Sequence, residues 1–460
     1  MSELQDKVNE LASDLGVPGA SVGVIHDGQE HYAFAGVTSV ENPLTVDEKT
    51  LFQFGSTGKT YTATAIMRLV EQGKVDLDAT VRTYVPELKL KDEEAAANVT
   101  VLQLLNHTAG WEGDLMEDMG NGDDCLDKYV ARMATIEQVT PLGATVSYNN
   151  ASLSLAGHLI AKVMGTTYEQ AIGELLLEPL GLSDTLFFPT DIMVRRFAVG
   201  HNMAEDGTIT IARPWNIPRS SAPAGGMSAT AKDQLAWARF HLGDGTAADG
   251  TRILSQELLQ RMQQPTADMK GSALGDAVGI SWLLSETAGV KKVGHGGTTH
   301  GQHSDFTLIP EHGFGAISMT NCGPVGPQLN HAIVKWAMEH FLGLVEAEPE
   351  PIRLPDAELA PYTGRYETIA AVVDITAVDG RLSAQVSVKP EMATTMREAG
   401  EEVPEQPPLV LAILAGEADR YMVDEGPAKG MKGYFARAAD GSVEGVHLGG
   451  RLATRTALPV

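Results

Sequence analysis

The chain has little cysteine, no long apolar run and a deficit of basic residues. Its two cysteines, Cys125 and Cys322, match neither a Cys-x-x-Cys pair nor a zinc spacing, which argues against a disulfide framework. No apolar run approaches the roughly 18 residues that a membrane-spanning helix needs. The 34 basic residues face 60 acidic ones, and the net charge of −26 disfavours nucleic acid or an anionic membrane as a partner.

The N-terminus also lacks the basic start and apolar core of a signal peptide, because residues 1–11 are MSELQDKVNEL. Together with two thiols that we expect to be unpaired, this absence predicts a cytoplasmic protein. The length of 460 residues exceeds what one compact core usually holds, so we expect two or three domains.

The order of the apolar patterns predicts an α+β fold. Strand patterns at 20–25 and 31–35 come first, helix patterns such as 151–164 follow, and a last helix is predicted over 332–342. Before that last helix, four more strands are predicted at 277–284, 291–295, 305–310 and 315–321. This order indicates one antiparallel sheet, built from both ends of a domain, with a helical insertion between them.

The last quarter of the chain has a different pattern. Residues 345–357 are acidic and proline-rich, as expected of a linker between a domain at 1–344 and a second domain at 358–460. Short strand-like runs separated by glycine turns then occur at 362–367, 372–377, 381–386, 409–414, 420–423 and 433–437. They predict a small all-β barrel or sandwich.

The stretch 51–60, LFQFGSTGKT, carries the strongest candidate for chemistry. Ser56 and Lys59 are three residues apart and share a face if a helix opens at Ser56. A serine hydroxyl needs an adjacent base to become a nucleophile, and a lysine can serve. Two competing motifs fail here: a phosphate-binding P-loop needs glycine where Gln53 stands, and the hydrolase elbow needs glycine where Phe54 stands.

Two later motifs carry groups that suit the same chemistry. Tyr148 precedes a predicted helix, and a tyrosine near a lysine can exchange a proton as general base and acid. Asn150 can donate to a substrate carbonyl or hold the lysine in place. Residues 294–298 are Gly-His-Gly-Gly-Thr, and glycines at a strand let a substrate backbone approach. The Thr298 N–H could join that of Ser56 as the two donors of an oxyanion hole.

In order and spacing, these motifs resemble the serine hydrolases related to class C β-lactamases and D-alanyl-D-alanine carboxypeptidases. The resemblance covers about residues 5–344 and rests on Ser56-x-x-Lys59, Tyr148-x-Asn150, His295-x-Gly297, His-Thr-Ala-Gly at 107–110 and Gly-Gly-Met at 225–227. It implies a penicillin-recognising fold, in which helices flank an antiparallel sheet and an all-helical subdomain completes the site. The C-terminal domain resembles the lipocalin-like barrels appended to some members.

The resemblance also implies roles for the motif residues. Ser56 would form an acyl-enzyme, Lys59 and Tyr148 would move the protons, and the backbone N–H groups of Ser56 and Thr298 would stabilise the oxyanion. Substrate binding would fall to the remaining motif residues, Asn150, His295, Gly296 and Gly297.

One position departs from the family pattern. Class C β-lactamases have Lys-Thr-Gly where this chain has His295-Gly296-Gly297, and a histidine is mostly neutral at pH 7 unless its pKa is shifted. The His-x-Gly pattern resembles the esterase and D-aminopeptidase branches, so we expect a carboxylesterase first. A D-residue peptidase, an aminopeptidase or a peptide thioesterase-cyclase is the second expectation. A non-catalytic penicillin-recognising binder is a remoter alternative.

We expect no metal and no organic cofactor. His295, His300 and His303 match no zinc spacing, and the last two are interpreted as loop or strand residues near the cleft. Trp111 is interpreted either as a substrate-binding residue or as an exposed loop residue. The expected partner is a small-molecule or peptide substrate, and the sequence leaves the oligomeric state open.

Overall fold

The computed structural model describes residues 3–115, 117–347, 349–390, 393–394, 397, 407–426 and 428–456. The chain divides into two compact units, each with its own hydrophobic core. The first unit holds Met1–Ala144, Asn149–Ala267 and Val278–Glu346. The second holds Thr145–Tyr148, Asp268–Ala277 and Ala347–Val460. The domain bounds at 344 and 358 stay a prediction.

Six strands of the first unit form an antiparallel sheet. Their spatial order is Gln29–Gly36, Gly19–His26, Phe314–Thr320, His303–Ile309, Val290–Thr298 and Leu283–Thr287. The N-terminal strand Gly19–His26 pairs directly with Phe314–Thr320 from the far end of the unit, as the sequence predicts, and Gln29–Gly36 pairs with Gly19–His26 at the edge of the sheet. The strand Gly19–His26 is buried over most of its length because both of its faces are covered.

Helices pack on both faces of this sheet. The helices Glu3–Leu15 and Val325–Leu342 share one buried core with the first strand. On the opposite face, the helix Ala231–Leu242 packs so closely that a Cβ added at Gly23 would lie 2.9 Å from Cγ of Leu235. The predicted α+β class, with helices flanking an antiparallel sheet, is confirmed.

A further group of helices forms the helical part of the first unit. Its centre is the helix Asn150–Met164, which buries ten residues in succession and contacts Lys59–Glu71, Val101–Leu105 and Cys125–Arg132. A helix that is buried on all sides is expected at the centre of a group of helices. The helix predicted over 151–164 is confirmed, and no helix in the described residues is both long and apolar enough to cross a membrane.

Shorter elements connect these layers. The remaining helices of the first unit are Glu93–Asn98, Tyr168–Ile172, Glu178–Leu180, Pro189–Ile192, Ala222–Gly225 and Gln256–Met262, with tighter or wider turns at Gly55–Gly58, Val81–Thr83, Met133–Thr135, Gly173–Leu177, Arg219–Ser221 and Pro310–His312. Short strands at Phe52–Gln53, Ser228–Ala229 and Thr185–Leu186 form one small sheet, and those at Cys322–Gly323, His201–Met203 and Ile209–Ile211 form another.

The strand predicted over 277–284 is interrupted: residues 277–278 belong to the strand Gly275–Val278 and residues 283–284 to the strand Leu283–Thr287, so the prediction of one continuous strand is wrong. Residues 279–282 form a turn, closed by a hydrogen bond of 2.8 Å from Gly279 N to the Trp282 carbonyl. Within it, Ser281 has a φ of 55° and donates its backbone N–H to the Leu105 carbonyl at 2.9 Å. That partner lies far away in the sequence, so the local apolar pattern cannot indicate the turn.

The second unit contains a closed antiparallel barrel of eight strands. Around the barrel they are Leu409–Leu414, Arg381–Val388, Ala371–Val378, Gly364–Glu367, Arg451–Thr456, Val443–Leu448, Lys432–Arg437 and Glu417–Glu425, and the last pairs with the first. The short strand Pro351–Ile352 is added beside Leu409–Leu414. The helix Asp356–Leu359, the turn Ala360–Tyr362 and the strands Ala267–Ser272 and Gly275–Val278 complete the elements.

Aromatic side chains fill the barrel core. Tyr366, Tyr421 and Phe435 are buried there together with aliphatic side chains. The Tyr366 hydroxyl donates to the Tyr362 carbonyl at 2.7 Å, and that of Tyr421 donates to the His447 carbonyl at 2.9 Å. The eight strands close on themselves, and closure removes exposed strand edges. The prediction of an all-β barrel is therefore confirmed. The strands Val443–Leu448 and Arg451–Thr456 are additional to the predicted runs.

The close packing at Gly23 generates a stability prediction. We expect Gly23→Ala to destabilise the first unit by about 1–3 kcal/mol, because the added methyl group overlaps Leu235. Leu235→Ala alone should cost about 2–5 kcal/mol through the cavity that it leaves. The double variant should cost clearly less than the sum in urea unfolding, because the second change makes room for the first. Strictly additive costs would contradict this packing.

Candidate active site

Ser56 lies in the tight turn Gly55–Gly58, directly before the helix Lys59–Glu71. The sequence predicts a helix that opens at Ser56, whereas the α-helix itself begins at Lys59. The backbone enters the turn through Gly55, whose φ of 53° favours glycine. The Lys59 Nζ donates to the Ser56 Oγ at 3.0 Å, so the predicted reach of the lysine to the serine hydroxyl is confirmed.

The Lys59 side chain is fully buried, which is unusual for a lysine. Besides Ser56, its Nζ donates to the carbonyl of Ala224 at 2.7 Å. Removing an amine from water costs free energy unless acceptors replace the lost hydrogen bonds. The Ala224 carbonyl is such an acceptor, and it holds the amine beside the serine hydroxyl.

The glycine after Ala224 lets this segment approach the nucleophile. Gly225 has a φ of 158°, and a Cβ added there would lie 2.7 Å from the Gly55 carbonyl carbon and 3.0 Å from the Ser56 nitrogen. Any side chain at this position would therefore displace the turn that carries Ser56. The Gly-Gly-Met pattern at 225–227 thus has a steric reason.

The end of the strand Val290–Thr298 lies against the same turn. A Cβ added at Gly55 would lie 2.6 Å from the Thr298 nitrogen. The Thr57 Oγ1 donates to the His295 carbonyl at 3.0 Å, which fixes the turn to the strand. The Thr298 backbone is therefore close to the nucleophile turn, as a second oxyanion donor must be. That role for its N–H stays a prediction.

The two glycines of the strand end have different surroundings. Gly296 is exposed, and the nearest atom to an added Cβ would be the Ser304 carbonyl oxygen at 3.5 Å. At Gly297 an added Cβ would overlap the Phe54 carbonyl oxygen. The small size of Gly297 therefore serves the close approach of the nucleophile segment itself. Contact of either glycine with a substrate stays a prediction.

His295 is buried, with 3% of the residue exposed. Its Nδ1 lies 2.6 Å from the Gly296 carbonyl oxygen and donates to it in the corresponding tautomer. Burial, reinforced by the charge of Lys59, lowers the pKa of His295 to about 3. The side chain is therefore neutral near pH 7 and cannot supply the fixed positive charge that a lysine would offer to a substrate carboxylate.

His303, interpreted from the sequence only as a loop or strand residue near the cleft, is a direct neighbour of Thr298. It stands opposite Thr298 in the strand register, and its Nδ1 lies 3.1 Å from the Thr298 Oγ1. Burial lowers the pKa of His303 to about 4, so it is a neutral partner. The signal in the sequence that could have indicated the pairing of Thr298 with His303 is the short connection between the strands Val290–Thr298 and His303–Ile309.

The residues around the start of the helix Asn150–Met164 are engaged with one another. The Asn150 Nδ2 donates to the Asp114 Oδ1 at 2.7 Å, so the amide expected to face a substrate is bound to a carboxylate. Asn149, which is not among the predicted site residues, caps the helix and donates its Nδ2 to the Trp111 carbonyl at 2.8 Å. Trp111 is only 2% exposed, so its interpretation as an exposed loop residue is wrong. Substrate binding by Asn150 and Trp111 stays a prediction.

Tyr148 belongs to the second unit, where the barrel holds its backbone and its ring. Its N–H donates to the Gly450 carbonyl at 2.9 Å, and the Arg451 guanidinium carbon lies 5.4 Å from the centre of its ring. The preceding Ser147 accepts at Oγ from the Leu452 N–H at 3.3 Å. A cation over an aromatic face is attracted to it, so these contacts orient the ring. The position of Tyr148 relative to the serine stays a prediction.

One group of potential metal ligands occurs among the described residues. Glu87, Asp127 and His158 offer ligand atoms within 4.8 Å of one another. The Lys162 Nζ lies 2.8 Å from the Glu87 carboxylate, so that carboxylate already has a cationic partner.

Comparisons with known proteins agree on one family. The family model described as Beta-lactamase matches residues 4–335. Penicillin-binding protein 4 of Amycolatopsis lactamdurans is 34% identical over 374 residues, which are 79% of this chain and 96% of that protein. The resemblance drawn from the sequence motifs is therefore confirmed.

Two solved structures show how far the similarity extends. The crystal structure of SurE with D-Leu has a TM-score of 0.76 and 25% identity, and the alignment covers 98% of both chains. A class C beta-lactamase from Rhodobacter sphaeroides has a TM-score of 0.60 and 23% identity, and covers 74% of this chain and all of its own. The β-lactamase-like fold is thus confirmed, and the SurE alignment extends over the C-terminal region as well.

The buried histidines generate a prediction about stability and pH. The pKa of His295 lies well below the ordinary histidine value of 6.5, so the unfolded chain takes up a proton as the pH falls below that value while the folded protein does not. The free energy of unfolding should therefore fall as the pH is lowered from 6.5 to about 3. In His295→Gln this fall should be shallower by up to about 1.4 kcal/mol per pH unit.

Urea unfolding at several pH values measures this slope. His312→Gln is the matched control, because His312 is exposed. An unchanged slope in His295→Gln, equal to that of the control, would show that His295 is not held neutral by the fold.

Proposed function

Because the chain belongs to the beta-lactamase family, we propose that it forms an acyl-enzyme at Ser56 with a carboxylic ester or amide. The observation that carries this proposal is the buried Lys59 Nζ, 3.0 Å from the Ser56 Oγ. A lysine held in this way can lower the barrier for removal of the hydroxyl proton. The alternative of a non-catalytic binder is disfavoured, since a binder has no need to bury an amine beside a hydroxyl.

In the proposed reaction, the Ser56 Oγ attacks the carbonyl carbon while its proton passes to Tyr148, and the Lys59 ammonium stabilises the serine oxygen as the proton leaves. The N–H groups of Ser56 and Thr298 stabilise the oxyanion. The bond to the leaving oxygen or nitrogen, or to the sulfur of a thioester, then breaks, and that atom takes the proton from Tyr148. Water or an amine next attacks the acyl-enzyme, its proton passes back to the serine, and the product acid or amide leaves. No step needs a metal or an organic cofactor.

The neutral His295 favours carboxylesterase activity as the first candidate. An ester without a carboxylate needs no fixed cation in the site, whereas penicillin-type substrates carry an anionic group that a neutral imidazole attracts weakly. We therefore expect turnover of simple esters to exceed turnover of β-lactams.

Acyl transfer from a D-residue is the second candidate, and a separate observation favours it. The SurE structure that contains D-Leu aligns with 98% of this chain, including the region of the barrel. An acyl-enzyme formed from a D-terminated peptide could be resolved by water or by a peptide amine, which gives hydrolysis or cyclisation.

Replacement of the nucleophile tests the mechanism. We expect Ser56→Ala to lower kcat by at least about 10³-fold with p-nitrophenyl butyrate and with a D-Ala-terminated peptide thioester, and to abolish any covalent adduct. Intact-protein mass spectrometry and product release measure the two effects. Ser13→Ala is the control, because Ser13 is exposed on the helix Glu3–Leu15. Full turnover in Ser56→Ala would refute the proposal.

A measurement of stereochemical preference distinguishes the two candidate functions. If the enzyme is a simple esterase, p-nitrophenyl butyrate should have the highest kcat/KM, and D- and L-Ala thioesters should differ little. A kcat/KM for the D-Ala thioester at least about 10-fold above that of its L-Ala counterpart and above the butyrate would establish the second candidate instead. Nitrocefin is included as the β-lactam reference.

A further inference from the structure

A cavity of about 370 Å³ lies in the first unit. Phe187, Phe188 and Trp215 contribute aromatic walls, and Gln53, Glu169 and Arg219 contribute polar groups. The Trp215 indole is fixed, because its Nε1 donates to the Ala198 carbonyl at 3.1 Å. A largely apolar cavity with a few placed polar groups is the usual form of a small-molecule site, and this volume suits one ring-containing side chain.

Gln53 lines the cavity and carries an unused acceptor. The residue is 6% exposed, and its Nε2 donates to the Trp215 carbonyl at 2.6 Å. Its Oε1 is buried, and no donor in the described part of the chain reaches it. A buried acceptor without a donor costs free energy, and a ligand that supplies an O–H or N–H group would recover it.

The two charged residues that line the cavity, Arg219 and Glu169, form an ion pair with each other. The Arg219 Nε and Nη2 donate to the two carboxylate oxygens of Glu169 at 2.8 and 3.2 Å. The Arg219 guanidinium carbon also lies 5.2 Å from the centre of the Phe188 ring. The exposed Asp123 carboxylate also binds the Arg219 Nη2 at 2.9 Å, so the guanidinium has no unpaired positive charge for an anion, and the buried Glu169 carboxylate already has its cation. The cavity therefore favours an uncharged group.

The cavity shares a wall with the nucleophile. Gly225 lines the cavity, and a Cβ added to it would lie 3.0 Å from the Ser56 nitrogen. The preceding carbonyl, that of Ala224, is the acceptor for Lys59. Gln53 precedes the serine by three residues on the strand that leads into its turn. A group bound in this cavity would thus lie next to the acylation centre.

We propose that this cavity binds the side chain of the acyl donor, and that this side chain is a neutral aromatic group with an O–H or N–H donor for the Gln53 Oε1. A phenol or an indole has this chemistry. The inference rests on the proposed function at Ser56, whose substrate class it narrows.

Binding is tested on the full-length Ser56→Ala protein, so that turnover plays no part. The probes are 3-(4-hydroxyphenyl)propanamide and 3-phenylpropanamide, which differ only in the phenol hydroxyl, and isothermal titration calorimetry measures both. We expect the phenol to bind at least about 10-fold more tightly, because a site built around a hydrogen bond discriminates against a ligand that lacks the donor. Gln53→Met in this background should abolish the difference. Equal affinities for the two amides, or no saturable binding, would overturn the inference.

A second pair of variants separates the cavity from general damage to the fold. Thr190 lines the cavity and is exposed, so Thr190→Trp should fill it from the rim. The matched control is Asp191→Trp, at the next exposed position of the same helix, outside the cavity lining. In the active enzyme, the ratio of kcat/KM for the p-nitrophenyl ester of 3-(4-hydroxyphenyl)propanoate to that of acetate should fall at least about 10-fold in Thr190→Trp and stay unchanged in the control.

These measurements distinguish the two proposals. An unchanged ester ratio in Thr190→Trp would overturn the cavity assignment even if Ser56 is acylated by every ester. If the phenol binds with the expected preference but Ser56 is never acylated, the proposed function fails and the cavity stands as a binding site for neutral phenols.

Discussion

The hydrogen bond from the buried Lys59 amine to the Ser56 hydroxyl is the interaction on which the site depends. A lysine removed from water must find acceptors inside the protein, and the Ala224 carbonyl is one of them. That carbonyl can reach Lys59 only because the glycine after it allows two segments of backbone to touch. The short helix at 222–225 thus holds the amine beside the tight turn that carries Ser56, and the strand end at Thr298 packs against the same turn.

The charge of this amine also explains the neighbouring histidine. Burial and the charge of Lys59 together keep His295 neutral, so the site has its cation beside the nucleophile and an uncharged group on the adjacent strand. In the proposed function, the positive charge assists proton transfer and substrate selection falls to shape and to neutral hydrogen bonds. The cavity around Gln53 likewise selects by shape and neutral hydrogen bonds in our proposal, because Arg219 is already paired with Glu169.

Much of this arrangement follows from the sequence, because its causes are local. The three-residue spacing predicted the contact of Lys59 with Ser56, and the alternation of apolar patterns predicted the α+β fold and the all-β barrel. The failures have distant causes. The turn at residues 279–282 depends on the Leu105 carbonyl, and the burial of Trp111 depends on tertiary packing that a glycine-rich loop sequence does not reveal.

The glycines and the tyrosine illustrate a second limit. Gly297 was expected to admit a substrate, yet its missing side chain makes room for the Phe54 carbonyl of the protein itself. A sequence shows that a residue must be small without showing what approaches it. Likewise, nothing near Tyr148 in the sequence indicates that its backbone binds Gly450, some 300 residues later, or that Arg451 faces its ring.

The most direct test of the central claim is the rate at which a fluorophosphonate modifies the protein, in the wild type and in Lys59→Met. Peptide mapping by mass spectrometry locates the adduct. The buried Lys59 contact predicts a single adduct on Ser56 and a modification rate at least about 10³-fold lower in the variant, which must remain folded by circular dichroism. Equal rates in the two proteins, or an adduct on another serine, would contradict activation of Ser56 by Lys59.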